Sequence, residues 1–322
     1  MNIQTAVRAP RPIETVNSFA AEVIAGLSAK PKHLPPKYFY DLAGSDLFDR
    51  ITRLPEYYPT RSELGLLSKH APAMASLFPP GCALLEFGSG SSRKARILLR
   101  AAARVEAYVP VDISGDFLQQ DAARLRRDFP HLAVYPVVAD FTMMTEPPAE
   151  IAAKPRAGFF PGSTIGNFEP HEAAGFLRRA GRILGAGSLF VVGVDLVKVP
   201  DILYRAYNDA EGVTAKFNLN LLARINRELG ANFNLAAFEH HAFYNAERHR
   251  IEMHLASTKR QQVRIRDTTI EFRAGETIHT ENSYKYSIDS FQALAHGGGW
   301  SPLAAWTDGL FSVHVLQMTD DG

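Results

Sequence analysis

Leu84-Leu85-Glu86-Phe87-Gly88-Ser89-Gly90-Ser91-Ser92 is the stretch that decides the fold. Four of the five residues 83–87 are apolar and turn formers follow at once, which reads as a strand buried on both faces that breaks into a tight loop. From Arg93 onward Ala95, Ile97, Leu98, Leu99 and Ala102 recur at helical spacing, so the loop opens a helix. Strand, glycine-rich loop and helix make the opening unit of a nucleotide-binding α/β sheet. The glycines let a ligand approach the backbone closely, and the helix start supplies free N–H groups.

Which nucleotide fits can be argued from the neighbours. A dinucleotide fingerprint needs a third glycine three residues after Gly90, where this chain has Arg93. Glu86 stands at the strand's end just before Gly88-Ser89-Gly90, an E-x-G-x-G form that resembles the first motif of S-adenosylmethionine-dependent methyltransferases. Asp112 closes the next apolar run, residues 107–113, where a carboxylate can bind ribose hydroxyls. Asp140 ends the run 133–139, and Phe141 after it suits an adenine neighbour. Glycine-rich turns and strand-end aspartates are also ordinary features; three acid-terminated strands in succession favour the cofactor.

The bulk numbers bound the answer. A chain of 322 residues, 46% hydrophobic and 21% charged, suits a soluble protein with a full core and about two domains or one enlarged one. A net charge of +1, with the basic residues scattered, calls for neither nucleic acid nor a membrane surface. The sole cysteine, Cys82, opens the buried strand and reads as a small core residue, which excludes an intramolecular disulfide and fits a cytoplasmic location. No apolar run approaches membrane-spanning length, and a monomer is expected.

Around the nucleotide unit, strands and helices alternate. Residues 1–12 read as a loose arm, 13–27 as a helix, and 62–70 as another. Between Leu34 and Arg61, four prolines (35, 36, 55, 59) and four tyrosines (38, 40, 57, 58) form a region too ordered for a linker. The tyrosines suit either a polar ligand's pocket or plain packing. Helices at 114–129 and 170–184 and strands at 133–139, 157–160 and 188–196 complete a mostly parallel, doubly wound sheet with ligands at the strands' carboxyl ends. Beyond Val199 the pattern changes to helices at 200–208 and 213–229, then to alternating runs at 240–244 and 250–257 that read as a hairpin. Runs at 263–266 and 269–272 alternate likewise, and a helix at 287–295 and a strand at 311–318 close the chain. The expected division is an N-terminal segment 1–60 joining a smaller α+β substrate domain at 200–285, over the ligand edge of a core made from 61–199 and 286–322.

At this point the chain resembles a known family, the histidine-specific Nα-methyltransferases of ergothioneine biosynthesis, across nearly all of residues 13–318. The resemblance is carried by Tyr38-Phe39-Tyr40-Asp41, Leu54-Pro55-Glu56-Tyr57-Tyr58-Pro59-Thr60-Arg61, Glu86-Phe87-Gly88-Ser89-Gly90 and Gly162-Ser163-Thr164-Ile165-Gly166-Asn167. Tyr207-Asn208-Asp209, Gly212-Val213-Thr214-Ala215-Lys216-Phe217-Asn218, Arg250-Ile251-Glu252-Met253 and Thr280-Glu281-Asn282-Ser283-Tyr284-Lys285 continue it in order. It implies an α/β, Rossmann-like methyltransferase core with an inserted second domain, and transfer of three methyl groups from S-adenosylmethionine to the α-amine of L-histidine, giving hercynine. By the same resemblance Gly88, Lys94, Asp112, Asp140 and Phe141 contact the cofactor, with Tyr40 near the transferred methyl. Tyr57, Glu281 and Ser283 would hold the imidazole, Met253 would line its pocket, and Asn167 and Tyr207 would hold the amino-acid end.

Elementary chemistry agrees. Imidazole carries two ring nitrogens, so a site selecting it needs two hydrogen-bonding groups, and Glu281 and Ser283, two apart on extended backbone, share one face. Each residue also has a plainer use: Glu281 as a surface carboxylate, Met253 as core, Asn167 as cap of the helix near Pro170. The 11 histidines show no metal-ligand spacing, and no metal is expected. Two other readings stand beside the main one: a relative acting on another amino acid or small amine, and a cofactor-binding regulator without catalysis.

Overall fold

The structure, a computed structural model, describes residues 16–319. The expected N-terminal arm at 1–12 lies outside these, and the helix expected from 13 is described as Val16–Ser28. Among the described residues the chain gathers into two compact units. One comprises Ser62–Leu196 and the chain from Tyr286 onward; the other comprises the chain up to Arg61 together with Val197–Lys285.

In the first unit the strands lie in the order Trp300–Thr307, Phe311–Met318, Leu189–Asp195, Arg156–Phe160, Cys82–Phe87, Val105–Asp112, Ala133–Val134, with Val137–Val138 also paired to Val105–Asp112. Pairing is parallel from Leu189–Asp195 through to Ala133–Val134, and Phe311–Met318 runs antiparallel to both neighbours. The doubly wound sheet is therefore present, because strands buried on both faces need helical crossovers to cover them. Cys82–Phe87 is buried at every position. From it the chain winds first to one side, then crosses back to the other, so the strand order reverses at its carboxyl end, where the Gly88–Ser92 loop lies. That reversal is the place where open α/β sheets leave a crevice for ligands. Cys82 is wholly buried and burial pushes its thiol up to about 11, so it serves as core.

The second unit holds a four-stranded sheet ordered Lys32–His33, Thr277–Tyr284, Arg250–Ser257, Phe238–Asn245, plus the hairpin Gln261–Ile265 and Thr268–Phe272. The helix Val213–Leu229 ties to one face of the sheet through Asn218, whose amide donates to His254 O at 3.0 Å and whose carbonyl accepts from Thr280 Oγ1 at 2.8 Å. Phe217 of that helix stacks on Phe39 with centroids 4.5 Å apart.

Local differences from expectation have physical causes. The strand at 133–139 is two short pieces, because Pro136 between them has no N–H to give the ladder. The helix at 62–70 is in fact Tyr58–Leu77 and keeps Pro72 inside, held by buried Leu66, Leu67, Ala71, Met74 and Ala75. The extended backbone expected at Glu281 and Ser283 belongs to the strand Thr277–Tyr284, and Trp300–Thr307 is a further strand. The latter alternates only weakly and carries Pro302, which an edge strand tolerates. Leu42–Ile51 is a helix capped by Asp41, whose Oδ1 accepts from Gly44 N at 2.7 Å.

Candidate active site

In the first unit the loop after Cys82–Phe87 is held almost entirely through backbone. Gly88 N and Ser89 N both donate to Val111 O, at 2.9 and 3.1 Å. Asp112 Oδ2 accepts from Gly90 N and Oδ1 from Ser114 N, each at 2.9 Å, so one carboxylate fastens the glycine loop to the start of the next helix. Each of its oxygens keeps a further lone pair for a ribose hydroxyl. Behind the loop Glu86 is buried and accepts a hydrogen bond from Tyr108, whose hydroxyl also lies 3.1 Å from Ser92 Oγ. Burial holds the Glu86 carboxyl well above the usual carboxylate range, so it works as a clamp beneath the loop.

Gly88 has φ +72°, and a Cβ there would stand 3.3 Å from the Phe141 ring. Both the left-handed backbone and the packed ring exclude a side chain. Phe141 sits half-buried against Phe87, Phe160, Phe168 and Phe176, and Asp140 before it accepts from Thr142 N at 2.9 Å to start a short 3-10 turn. A Cβ on Gly90 would meet open space, and Ser92 makes no side-chain cap to the helix Arg93–Ala101. Open space at a glycine loop, acids at two strand ends and an aromatic face beside them fit S-adenosylmethionine. Gly88, Asp112, Asp140 and Phe141 would hold it, and bound there it would supply a methyl group already activated on sulfur.

In the same unit Lys94 Nζ pairs with Glu63 Oε2 at 2.6 Å, and Glu63 in turn accepts from Gly162 N at 2.9 Å. The Lys94–Glu63 pair thus anchors the loop leading into the 3-10 turn Thr164–Asn167. Asn167 does not cap the helix Pro170–Leu184; Glu169 does, in a reciprocal arrangement with Glu172.

In the second unit the groups are fastened side chain to side chain. Asp41 starts the helix Leu42–Ile51 directly after Tyr40, and a Cβ on Gly44 would stand 1.7 Å from Phe39 O, so this turn closes tightly. The Tyr40 ring packs edge-on to Phe48 at 5.6 Å, Phe48 to Tyr57 at 6.4 Å, and Tyr57 to Tyr207 at 6.4 Å. Arg61 fixes the segment bearing Tyr57 by donating to the carbonyls of Leu54, Tyr57 and Pro55 at 2.8, 3.3 and 2.7 Å. Asp209 does the same after Tyr207, accepting from Val213 N and Thr214 N at 2.8 Å each to start the next helix. Of the four tyrosines in the N-terminal motifs, Tyr38 and Tyr58 are buried as packing, whereas Tyr40 and Tyr57 remain partly exposed.

The strand Thr277–Tyr284 contributes the rest. After an irregularity between His279 and Glu281 the register sets Glu281 opposite Met253 and Ser283 opposite Ile251. Directly opposed residues share a face, so Glu281, Met253 and Ser283 stand together. Tyr207 Oη donates to Ser283 Oγ at 2.7 Å. Burial pushes the Glu281 carboxyl up to about 7, against a pull downward from the charge of Lys285. Tyr40, Tyr57, Tyr207, Ser283, Glu281 and Met253 therefore form one connected set, with Phe48 and Lys285 as members that the sequence reading did not assign. Lys285 was legible in principle, since 281, 283 and 285 keep the two-residue period of one face.

The opposite face of the same sheet carries a row of four histidines: His33 pairs with His279, His279 with His254, and His254 with His241. Among the described residues Glu252, His254 and His279 bring ligand-type atoms within 4.8 Å of one another. The His254 and His279 rings stack at 4.7 Å, Glu252 is bound by Arg250 at 2.8 Å and lies 3.1 Å from His254 Nε2, and His254 Nδ1 is buried without a hydrogen-bond partner. Cross-strand register made this cluster, which is why spacing along the chain did not reveal it.

A mostly parallel sheet that reverses at Cys82–Phe87, ends in an antiparallel strand and carries acids around a glycine loop at the reversal defines the core of an S-adenosylmethionine-dependent methyltransferase. The chain belongs to the family of histidine-specific, S-adenosylmethionine-dependent methyltransferases, whose sequence model matches residues 19–318. It is 42% identical over 296 residues to the histidine N-alpha-methyltransferase of Mycobacterium tuberculosis, spanning 89% of this chain and 90% of that one. The histidine N-alpha-methyltransferase of Mycolicibacterium smegmatis matches at the same 42% over 296 residues, again 89% and 90% of the two chains. The 4-dimethylallyltryptophan N-methyltransferase of Aspergillus fumigatus is 29% identical over 308 residues, 90% of each chain.

Proposed function

We propose that this enzyme transfers methyl groups from S-adenosylmethionine to the α-amine of L-histidine, three in succession, giving hercynine as the first step of ergothioneine biosynthesis. Family membership supports the reading, and the observation that carries it is the face shared by Glu281, Ser283 and Met253. A carboxyl poised near neutrality and a hydroxyl two residues on offer an imidazole ring one partner for each nitrogen, with Met253 as the apolar wall. A site built from buried polar groups rejects rings that leave them unpaired.

Within this reading Tyr57 joins the ring pocket, Asn167 and Tyr207 hold the amino-acid end, and Tyr40 borders the reacting amine. Gly88, Lys94, Asp112, Asp140 and Phe141 hold the cofactor, and Lys94 also acts through Glu63 on the loop that bears Asn167. The amine attacks as a neutral nucleophile along a straight line, so the protein contributes alignment more than acid–base chemistry. No dedicated base is assigned; the proton that the amine sheds before each transfer goes to water, directly or relayed through the Tyr40 hydroxyl. Tyrosine faces beside the growing ammonium favour the cationic product. The location is cytoplasmic, in keeping with a lone buried thiol; among the described residues no helix is long and apolar enough to cross a membrane.

Mass spectrometry of L-histidine incubated with the protein and S-adenosylmethionine tests the proposal. The expected product carries three added methyl groups on the α-nitrogen. Methyl transfer to another amine in place of histidine would favour the related reading, for which the tryptophan-type relative is the precedent. Cofactor binding with no methyl transfer to any amine would point to a regulator.

A further inference from the structure

Lys285 follows the strand Thr277–Tyr284 and is almost wholly buried, with 3% of its surface exposed. Its backbone N–H donates to His249 O at 2.7 Å, which fixes where the side chain starts. Its Nζ donates to Ser283 Oγ at 2.7 Å and to Tyr207 Oη at 3.3 Å, and Tyr207 Oη donates to the same Ser283 Oγ at 2.7 Å. The three groups close a triangle whose corners are all buried.

Tyr207 donating to Ser283, rather than the reverse, settles the role left to the serine hydroxyl. An ammonium only donates, and a hydroxyl has one proton and two lone pairs. Ser283 Oγ receives one hydrogen bond from Lys285 and one from Tyr207, which fills both lone pairs. Its own proton is all that it has left to offer. Glu281 stands two residues before it on the same face, and its carboxylate form only accepts. The face therefore presents one donor and one acceptor, which suits a neutral imidazole, with one bare nitrogen and one N–H, in a single orientation. Without the ammonium, Ser283 and Tyr207 could rotate and either donate or accept, and the distinction would be lost.

We infer that Lys285 is the specificity-determining positioning residue of this enzyme: with Tyr207 donating to one lone pair of Ser283, the Lys285 ammonium fills the other, makes Ser283 a donor and so selects a substrate ring with an unprotonated nitrogen. The inference rests on the reading of Glu281 and Ser283 as the ring-binding pair, and it extends that reading to Lys285.

The test uses alanine derivatives that share the amino-acid end and differ in the ring. 4-Thiazolylalanine and 5-thiazolylalanine each keep one bare ring nitrogen, at the two alternative positions, and replace N–H by sulfur; 2-thienylalanine has no ring nitrogen. In the wild type, one thiazolyl isomer should exceed thienylalanine in kcat/KM by about tenfold or more, the value of a buried hydrogen bond. In Lys285→Met that ratio should fall to within about threefold, as a freed hydroxyl no longer commits to donating. Ser283→Ala should remove the ratio equally, and the double variant should lose no more than either single one. Should Lys285→Met fail to fold, Tyr207→Phe frees one lone pair of Ser283 and should lower the same ratio, since any loss at the amino-acid end cancels between the two substrates.

A Lys285→Met variant that slows all acceptors by one factor and keeps the ratio would reduce Lys285 to a structural support and overturn the inference. A wild type that methylates histidine yet shows no preference for either thiazolyl isomer would overturn it as well. A wild type that does not methylate histidine would instead remove the reading on which it rests.

Discussion

The two units hold their polar groups by different means. In the first, backbone does the holding: glycine N–H groups bind Val111 O and Asp112, and the acids at the strand ends are fixed by amides. In the second, side chains do the holding: Tyr207, Ser283 and Lys285 bind one another, and Arg61 gathers three backbone carbonyls to steady Tyr57. A backbone cradle tolerates any ligand with the right phosphate-free nucleoside shape and is common to many enzymes. A side-chain network is particular to one substrate, because each donor and acceptor has a fixed direction.

The contrast can be broken most severely at Gly88. A Gly88→Val variant adds atoms where a Cβ already meets Phe141 at 3.3 Å, at a φ of +72°. Left-handed strain of roughly 1–2 kcal/mol together with the ring's displacement should weaken S-adenosylhomocysteine binding by about 100-fold in calorimetry. Histidine binding, measured without cofactor, should change little if the second unit's network is independent.

Arg61→Met gives the next effect. It strips donors from three carbonyls and loosens the segment bearing Tyr57, which should raise KM for histidine about tenfold while leaving S-adenosylhomocysteine affinity near the wild-type value. Equal losses in both affinities would erase the distinction drawn between the units.

The smallest effect is a pH dependence. Burial raises the Glu281 carboxyl to about 7, above an unfolded value of about 4.3. A raised carboxyl stabilises the fold fully below its unfolded value, and that stability is lost as pH rises through about 7. Relative to Glu281→Gln, the ligand-free wild type should therefore lose about 1–2 kcal/mol in denaturant melts between pH 5 and 8, allowing for partial exposure. Glu86 shifts in the same direction from the first unit, whereas burial lowers His240, His254, His279 and His314, which gain stability as pH rises, so the difference between the two proteins carries the test.

How far the sequence could be read follows the same division. The core announced itself locally, because a strand buried on both faces, its glycine loop and its acid-ended neighbours each lie within a few residues of one another. The second unit did not, since its site depends on register: Glu281 meets Met253 only through pairing across 28 positions of chain, which no period reveals. The family resemblance supplied those residues, and alternation placed Glu281 and Ser283 on one face. Lys285 went unassigned although it continues that alternation, because a lysine after a strand usually reads as surface. The histidine row was hidden for the same reason, being built from four strands at once.

Titration of L-histidine into Glu281→Ala, beside titration of S-adenosylhomocysteine into the same variant, tests the central claim most directly. The account predicts that histidine affinity falls by about 10–100-fold, the cost of leaving a buried ring N–H unpaired, while S-adenosylhomocysteine binds within about twofold of wild type. Histidine binding as tight as in the wild type would contradict it and would move the ring away from the strand that bears Glu281.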